Sequence, residues 1–535
     1  MNRLTFFLAA LLGVMIFSAV TFAAPLGNGK KIIYIPIDNR PVNLSQTVEV
    51  AEKLGYEIIS PPEELLGTGA SADKFGNPDE LWTWLEKNAP DANSIVISTD
   101  AMLYGSLVGS RQHNFSAEKI MERAQKFQQL HENFPYLPIY ALGTIMRTPT
   151  YTGSSAEPEY YKKYGQMIFN YTALKDKAET EKLSSGEKKK LANFEKEIPQ
   201  YALDDWFGRR ERNYNANKFF IDLTRAGVFN YFLLGCDDSA RFSQTHLESR
   251  HLTEYSADLG KYRCQVMSGA DELGMLMISR AINEDLHEVP FVSVEYNAGK
   301  GGETFPRYGN ETIKESVEGA IISIGALQIP ANERADFVVA VNTNYNGKTF
   351  EAGSKKNTTG PRRGTRPFIK TLNNLVEKGY AVGVADVATS NGADNALMLR
   401  LKRNNLQFKI RAYSGWNTAS NSSGFLIGAG VLTKFMDAND VNELLMTRYL
   451  DDWVYQSNIR TQLANGLIWT VPGEGNANKL DGRRDGVSIL ASDLILKFAD
   501  ENIILPRGTF LKDVNAKFIW NRLFESDVKF ELIHR

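Results

Sequence analysis

Two adjacent aspartates, Asp237 and Asp238, directly follow the apolar run YFLLGC at residues 231–236. Like charges side by side repel each other and are costly to remove from water, so a fold keeps such a pair solvated or uses it. One carboxyl of a pair can donate a proton to a leaving group while the other binds or polarises the substrate. The pair therefore indicates a candidate acid–base site at the end of a strand.

The elements that would position this pair follow a repeated pattern. Short β-branched or aromatic runs end in polar clusters and are followed by helical stretches, as in βα units. Ten such runs occupy residues 31–40, 56–62, 94–100, 137–147, 231–238, 264–272, 289–297, 336–344, 380–388 and 408–417. Ten runs exceed the eight strands of a closed barrel, so some are expected to be edge strands or part of a flanking domain. We predict an α/β fold with a (β/α) barrel-like parallel sheet.

Six of these runs finish on acids or amides, and the carboxyl ends of parallel strands form the ligand-binding face of such folds. A single acid there can instead cap the next helix, but six polar ends indicate a shared pocket. The residues predicted to bind substrate are Asp38, Asn39, Arg40, Asp100, Tyr104, Glu295, Asp386, Asn391, Tyr413, Trp416 and Asn417.

Structural roles compete with ligand binding at several positions. Asp38 and Arg40 could bind hydroxyl groups or pair with each other in the first loop. Asp100 could line the pocket or cap the helix that follows it. Asp271 and Glu272 precede an amphipathic helix, where acids favour the helix dipole, so a structural role is the leading interpretation for these two.

Two segments depart from the βα pattern. Residues 150–225 are charged and helical, which indicates an insertion after the fourth run, and residues 436–535 indicate a mostly helical C-terminal extension. Residues 28–435 would then form the catalytic-type α/β domain.

An apolar run at residues 4–23 follows Arg3, and Thr21 and Ala23 fit the small-residue positions before a cleavage point. We predict that residues 1–23 are a signal peptide, cleaved near Ala23, and that the protein is exported to the periplasm or the medium. The alternative is an uncleaved membrane anchor, because the run is almost long enough to span a bilayer.

Composition narrows the function classes. A formal net charge of −2 over 535 residues lacks the basic excess of a protein that binds nucleic acid or a membrane surface. Two cysteines, Cys236 and Cys264, are too few for a disulfide framework and predict either one bridge or two small buried side chains.

Other reaction classes lack their motifs. The chain contains neither a GxSxG nucleophile elbow nor a phosphate-binding glycine loop, and its six histidines lack the spacing of metal ligands. We therefore predict no cofactor and no metal, with a divalent ion held by acids alone as the alternative.

Paired carboxylates with aromatic platforms are typical of sugar hydrolysis. Adjacent residues cannot straddle a glycosidic bond as separated carboxylates do. They suit a substrate-assisted route, in which one aspartate holds the 2-acetamido group and the other donates the proton. Asp237 and Asp238 are the predicted catalytic pair, and a carbohydrate is the predicted partner.

The acid pair after YFLLG, together with Trp416 and Asn417 in YSGWNTASN, resembles the active-site pattern of O-GlcNAcase-type β-N-acetylhexosaminidases. The resemblance implies a (β/α)8 barrel, an Asp-Asp pair at the reacting bond, and Trp and Asn contacts to the sugar.

Over nearly the whole mature chain, the sequence resembles the bacterial domain of unknown function family 4127. The blocks that carry this resemblance are IPIDNRPVN, STDAMLYGSLVGSR, LLGCDDSARF, GADELGMLMISRA, VADVATSNGADN, YSGWNTASNSSG and RYLDDWVYQSNIR. One departure is Ala240-Arg241-Phe242, where the family pattern leads us to expect Tyr-Gly after the acid pair. The family implies no activity, because its function is not established.

The sequence thus favours an exported carbohydrate-active hydrolase. The substrate class that the acid pair indicates is that of 2-acetamido sugars. A non-catalytic glycan-binding or cell-envelope protein and a metal-dependent hydrolase are the alternatives. The oligomeric state is not indicated by the sequence.

Overall fold

Two parallel β-sheets with helices around and between them make up most of the chain, in a computed structural model that describes residues 26–150 and 155–534. The predicted signal peptide lies outside the described residues. In the two described ranges, no helix combines the length and the apolar character needed to cross a membrane. The α/β fold class is confirmed.

The strands are bounded as follows: β1 Lys31–Ile35, β2 Glu57–Ile59, β3 Ser94–Ser98, β4 Ile139–Ile145, β5 Tyr231–Cys236, β6 Cys264–Ser268, β7 Phe291–Tyr296, β8 Leu327–Gln328, β9 Phe337–Asn342, β10 Phe350–Glu351, β11 Val382–Asp386, β12 Thr389–Ser390, β13 Ala412–Ser414, β14 Thr509–Phe518 and β15 Ser526–His534.

The α-helices are α1 Ser45–Glu52, α2 Pro78–Asn88, α3 Thr99–Tyr104, α4 Leu107–Gln112, α5 Ala117–Asn133, α6 Tyr161–Thr180, α7 Ser185–Glu197, α8 Gln200–Arg225, α9 Gln244–Tyr255, α10 Leu273–Asp285, α11 Ile313–Ser323, α12 Thr365–Glu377, α13 Asn395–Arg403, α14 Ala419–Leu432, α15 Ala438–Arg448, α16 Arg460–Ala464 and α17 Arg484–Asn502. A π-helix, Tyr449–Ile459, joins α15 to α16.

Strand pairing forms two large parallel sheets, and β10 pairs with β12 in a separate two-stranded parallel sheet. Sheet A has the order β2-β1-β3-β4-β5-β6, and sheet B has the order β13-β11-β9-β7-β8. Each of the ten runs singled out in the sequence contains one of these strands. In the described ranges no pairing joins sheet A to sheet B, so closure into a single barrel stays a prediction.

Helices α10 and α14 lie between the two sheets. Helix α10 packs on β3, β4 and β5 of sheet A, α14 packs on β9, β11 and β13 of sheet B, and the two helices pack on each other. Every residue of α14 is buried, as expected for a helix that is apolar all round. Gly428 permits the close approach, because a Cβ there would lie 3.0 Å from Met275 Cγ. The loops before α10 and α14 are thereby brought together.

Outside the two sheets, α6, α7 and α8 form the predicted helical insertion. The predicted C-terminal extension consists of helices followed by β14 and β15, an antiparallel hairpin that the sequence analysis did not anticipate. The domain boundaries themselves stay predictions. Cys236 and Cys264 are both free and buried, which confirms the second interpretation of the cysteines.

Candidate functional site

The carboxyl edge of sheet A collects charged residues that are buried or, in the case of Asp238, half-buried. Each of five strands in this sheet is followed within a few residues by at least one of them: Asp38, Arg40, Asp100, Arg147, Asp237, Asp238 and Asp271. Parallel strands place their carboxyl ends on one edge, which explains why residues so far apart in sequence meet there.

Asp237 is held by an arginine from a neighbouring helix. Arg111 of α4 donates from Nε and Nη2 to Asp237 Oδ2, at 3.0 Å and 2.6 Å. Both side chains are buried, so this is a desolvated, charge-assisted contact. No described residue donates a hydrogen bond to the other oxygen, Asp237 Oδ1. That oxygen is therefore available to accept from a ligand.

Asp238 differs from its neighbour in environment. Its Oδ2 accepts from Arg147 Nη1 at 2.9 Å, and 22% of its side chain remains exposed. Burial raises the pKa of Asp238 to about 6; the Arg147 guanidinium opposes the rise and the charge of Asp237 adds to it. Arg147 is itself fixed by Glu157, whose Oε1 lies 2.6 Å from Nε. A carboxyl with this pKa can exchange a proton near neutral pH.

Asp100 is a third carboxyl beside the pair. Burial raises the pKa of Asp100 to about 7, and the charge of Asp237 adds to this effect. Its Oδ2 has no hydrogen-bond partner among the described residues. Helix α3 is capped by Ser98, whose side-chain oxygen accepts a hydrogen bond from the Ala101 N–H. Asp100 is therefore not the N-cap of this helix. The predicted site residue Tyr104 is buried and stacks on His113.

Arg40 joins two loops. Its Nη2 lies 2.8 Å from Asp38 Oδ2 and 2.5 Å from Asp271 Oδ1. Asp38 and Arg40 therefore pair with each other, as one of the two interpretations held. Asp271 also accepts from Asn417 Nδ2 at 3.0 Å, so it links sheet A to the loop before α14. The sequence analysis assigned Asp271 only to a helix terminus and missed this contact.

A ring of contacts continues from Asn417 past the paired strands β10 and β12 and returns to Ser239, the neighbour of Asp238. Asn391 N donates to Asn417 O at 2.7 Å, and Asn391 Nδ2 donates to Glu351 Oε2 at 2.7 Å. Tyr308 OH donates to Glu351 Oε1 at 2.8 Å, and Ser239 N donates to Tyr308 O at 3.0 Å. We call these residues, with Asp238 and Asp271, the site ring.

The two ends of the site ring, Asp238 and Asp271, interact through their charges, and four residues of the ring have a left-handed backbone conformation. The charge of Asp271 contributes to the raised pKa of Asp238. Asp238, Tyr308, Asn391 and Asn417 have φ values of 22°, 69°, 61° and 57°, in the left-handed region that disfavours side chains with a Cβ. Such conformations cluster at ligand sites because surrounding contacts must hold them.

Other predicted site residues lie apart from the ring. Tyr413 OH donates to Asp386 Oδ2 at 2.8 Å, and burial raises the pKa of Asp386 to about 7. Glu295 Oε1 accepts from Asn332 Nδ2 at 2.7 Å. The ring of Trp416 is buried, with its centroid 6.1 Å from that of Phe524. These four residues contact other side chains of the protein and are not members of the site ring, and their predicted role in substrate binding stays a prediction.

Two further elements hold the site in place. Arg210 of α8 donates to Met146 O at 2.7 Å and to Arg147 O at 3.1 Å, which fixes the segment after β4. Asn39, a predicted binding residue, accepts from Trp520 Nε1 at 2.8 Å, and the Arg40 guanidinium lies 5.1 Å from the Trp520 ring centroid. The insertion and the C-terminal hairpin are therefore parts of the site.

Sequence reasoning missed several residues that the fold brings here: Arg111, Arg147, Glu157, Tyr308, Glu351 and Trp520. Arg147 ends a run that was recognised as a strand, and this position could have identified it. The others lie in a helix, in loops or in the two-residue strand β10, where an arginine, a glutamate or an aromatic residue is ordinarily solvated or packed, so their types alone gave no signal.

A family model described as "Protein of unknown function (DUF4127)" matches residues 32–529. The chain belongs to this family. The match runs from β1 into β15, so both sheets, the insertion and the hairpin belong to the DUF4127 unit. No curated protein matches the chain. In the part of the DUF4127 protein that the structure describes, no three His, Cys, Asp or Glu side chains are grouped so that they could hold a metal ion.

Proposed function

We propose that this protein is an exported carbohydrate-active hydrolase that cleaves a glycosidic bond with Asp238 as the general acid. The observation that carries the proposal is the contrast between two neighbouring carboxyls. Asp237 is buried in an ion pair with Arg111, whereas Asp238 is partly exposed and has a pKa of about 6. Environments that differ in this way typically separate the roles of two acids in one site.

The free oxygen of Asp237 supports 2-acetamido sugars as the substrate class. Asp237 Oδ1 would accept the acetamido N–H, which orients the acetamido oxygen towards the anomeric carbon. That oxygen forms a bond to the anomeric carbon as the glycosidic bond breaks, and Asp238 gives its proton to the leaving oxygen. Asp238 then takes a proton from a water molecule, which attacks the anomeric carbon and opens the cyclic intermediate.

The test compares hydrolysis of N-acetylhexosaminide disaccharides with hydrolysis of the matching 4-nitrophenyl glycosides, for the wild type, Asp238→Asn and Asp237→Asn. Loss of a general acid is expected to lower the rate on disaccharides by roughly 10²- to 10⁴-fold. The effect on nitrophenyl glycosides should be much smaller, because that leaving group needs little protonation.

Asp204→Asn, an exposed change on α8, serves as the control and should leave both rates unchanged. Equal rates for Asp238→Asn and the wild type on disaccharides would contradict the proposal. A folded wild type that binds glycans but turns over no glycoside would instead support the non-catalytic alternative.

A further inference from the structure

Arg460, the first residue of α16, lies against the part of the site ring that follows β12. Its Nη2 donates to Asn391 O at 3.3 Å, and its guanidinium lies 4.8 Å from the centroid of the Phe524 ring. Asn391 contacts Asn417 and Glu351 directly. Arg460 therefore contacts one member of the site ring, Asn391, which in turn contacts two other members.

Arg460 differs from the other arginines around the site in its pairing. The arginines that do have a carboxylate partner are Arg40, Arg111, Arg147, Arg307, Arg362 and Arg522. Within residues 26–150 and 155–534, no carboxylate oxygen lies within 4.0 Å of the Arg460 guanidinium nitrogens. The Arg460 side chain is half-buried, and its unused N–H donors have no carboxylate partner among the described residues, so this position favours an incoming anion.

The nearest acids are already engaged. Both oxygens of Glu351 accept hydrogen bonds, from Tyr308 and Asn391, and Glu525 forms two bonds of 2.5 Å with Arg522. Arg460 feels their charges, yet neither acid satisfies its donors. A guanidinium has five N–H donors, and one of those on Arg460 is used.

We propose that Arg460 binds the carboxylate of an acidic sugar, so that the substrate of this site carries a uronic-acid-type group. The inference rests on the proposed carbohydrate function and adds the charge of the ligand. A planar guanidinium matches a carboxylate with two parallel hydrogen bonds. A phosphate is disfavoured, because its second negative charge would be repelled by Glu351 and Glu525.

The test is calorimetric titration of the full protein with D-glucuronate, its neutral methyl ester and glucose 6-phosphate. Wild type is expected to bind glucuronate roughly 10- to 100-fold more tightly than the ester, as hydrogen bonds to charged groups imply. Arg460→Gln should bind the two equally, whereas Arg460→Lys should retain part of the preference. Arg366→Gln, an exposed change on α12, is the control and should behave as wild type.

Equal binding of glucuronate and ester by wild type, or an unchanged preference in Arg460→Gln, would overturn the inference while leaving a neutral sugar as substrate. Tighter binding of the sugar phosphate than of glucuronate would overturn the choice of carboxylate. Failure of all three ligands to bind would overturn this inference alone, because the carbohydrate proposal concerns 2-acetamido sugars and is decided by the hydrolysis of N-acetylhexosaminide disaccharides. If Arg460→Gln does not fold, the comparison of ligands on wild type and Arg460→Lys decides.

Discussion

Four residues of the site ring have left-handed backbones, and their types explain how the chain tolerates this. Asn391 and Asn417 are of the type that enters this region at little cost, because a short amide can bond to the nearby backbone. Asp238 is a short polar residue of the same kind, whereas Tyr308 costs more, on the order of 1–3 kcal/mol for a strained residue. The Asp238 carboxyl contacts Arg147, and the Asp237 carboxyl contacts Arg111.

Arg147 is expected to set the pH dependence of the proposed activity. Its charge opposes the rise in the pKa of Asp238, so Arg147→Gln should raise that pKa further. A general acid is active while protonated, and wild-type activity should therefore fall as pH rises through about 6. In Arg147→Gln this alkaline limb should move up by roughly one pH unit or more, since a nearby opposite charge typically shifts an acid by about 1–3 units.

The measurement is kcat/KM against pH for wild type, Arg147→Gln and Arg241→Gln. Arg241 is an exposed cation three residues beyond Asp238 and should leave the limb in place. An unmoved limb in Arg147→Gln would show that Asp238 is not the proton donor.

At the scale of residues, part of the candidate site could be predicted from the sequence. Asp237 and Asp238 were recognisable because two adjacent acids follow an apolar strand directly, and their catalytic role stays a prediction. Arg111 was not, because its pairing with Asp237 depends on how α4 packs across the end of β5. The contact of Asp271 with Asn417 was not predicted either, since it crosses between sheets.

At the scale of elements, the helical insertion supports the segment that carries Arg147. Arg210 reaches from α8 to two backbone carbonyls after β4 and is held there by Glu248 of α9, with bonds of 2.7 Å and 2.9 Å. The pair is buried, so both charges depend on each other and on those carbonyls.

Arg210→Met is therefore expected to lower the free energy of unfolding by about 3–5 kcal/mol, the usual effect of breaking a buried pair. Arg225→Met removes an exposed ion pair with Asp258 at the end of the same helix and should cost about 0–1 kcal/mol. Urea denaturation of both variants measures the difference. Similar losses in the two variants would mean that the insertion contributes no more than a surface contact.

The elements themselves were largely readable from the sequence. Runs of β-branched residues are typical of strands in α/β proteins, and each of the ten runs contains a strand. The two-residue strands β8, β10 and β12 are too short for any periodicity. Strands β14 and β15 alternate weakly and carry many charged residues, so their stretch was taken as part of a helical extension. Which strands share a sheet was not encoded in any local pattern.

At the scale of the whole molecule, the site is assembled from both sheets and from the hairpin at the far end of the chain. Trp520 binds Asn39 and covers Arg40. Trp520→Phe keeps an aromatic ring but removes the indole N–H and part of the buried ring system, so the free energy of unfolding should fall by about 0.5–1.5 kcal/mol for the hydrogen bond and further for the lost packing. Because Asn39 and Arg40 lose their support, kcat/KM should fall by more than this loss of stability implies.

Trp469→Phe, at an exposed tryptophan outside the ring, provides the comparison. Thermal unfolding and kcat/KM are measured for both variants. If Trp520→Phe matched Trp469→Phe in both, the hairpin would have no part in the site.

The bond between Trp520 and Asn39 joins residues 481 positions apart. Contacts of such long sequence separation form late in folding, because most of the chain must first be ordered to bring the two ends together. Each of the two sheets can form from βα units that are neighbours in sequence, before the contact between Trp520 and Asn39 is made. During refolding, secondary structure should therefore return earlier than the ability to bind ligand. The site would form in the last step of folding.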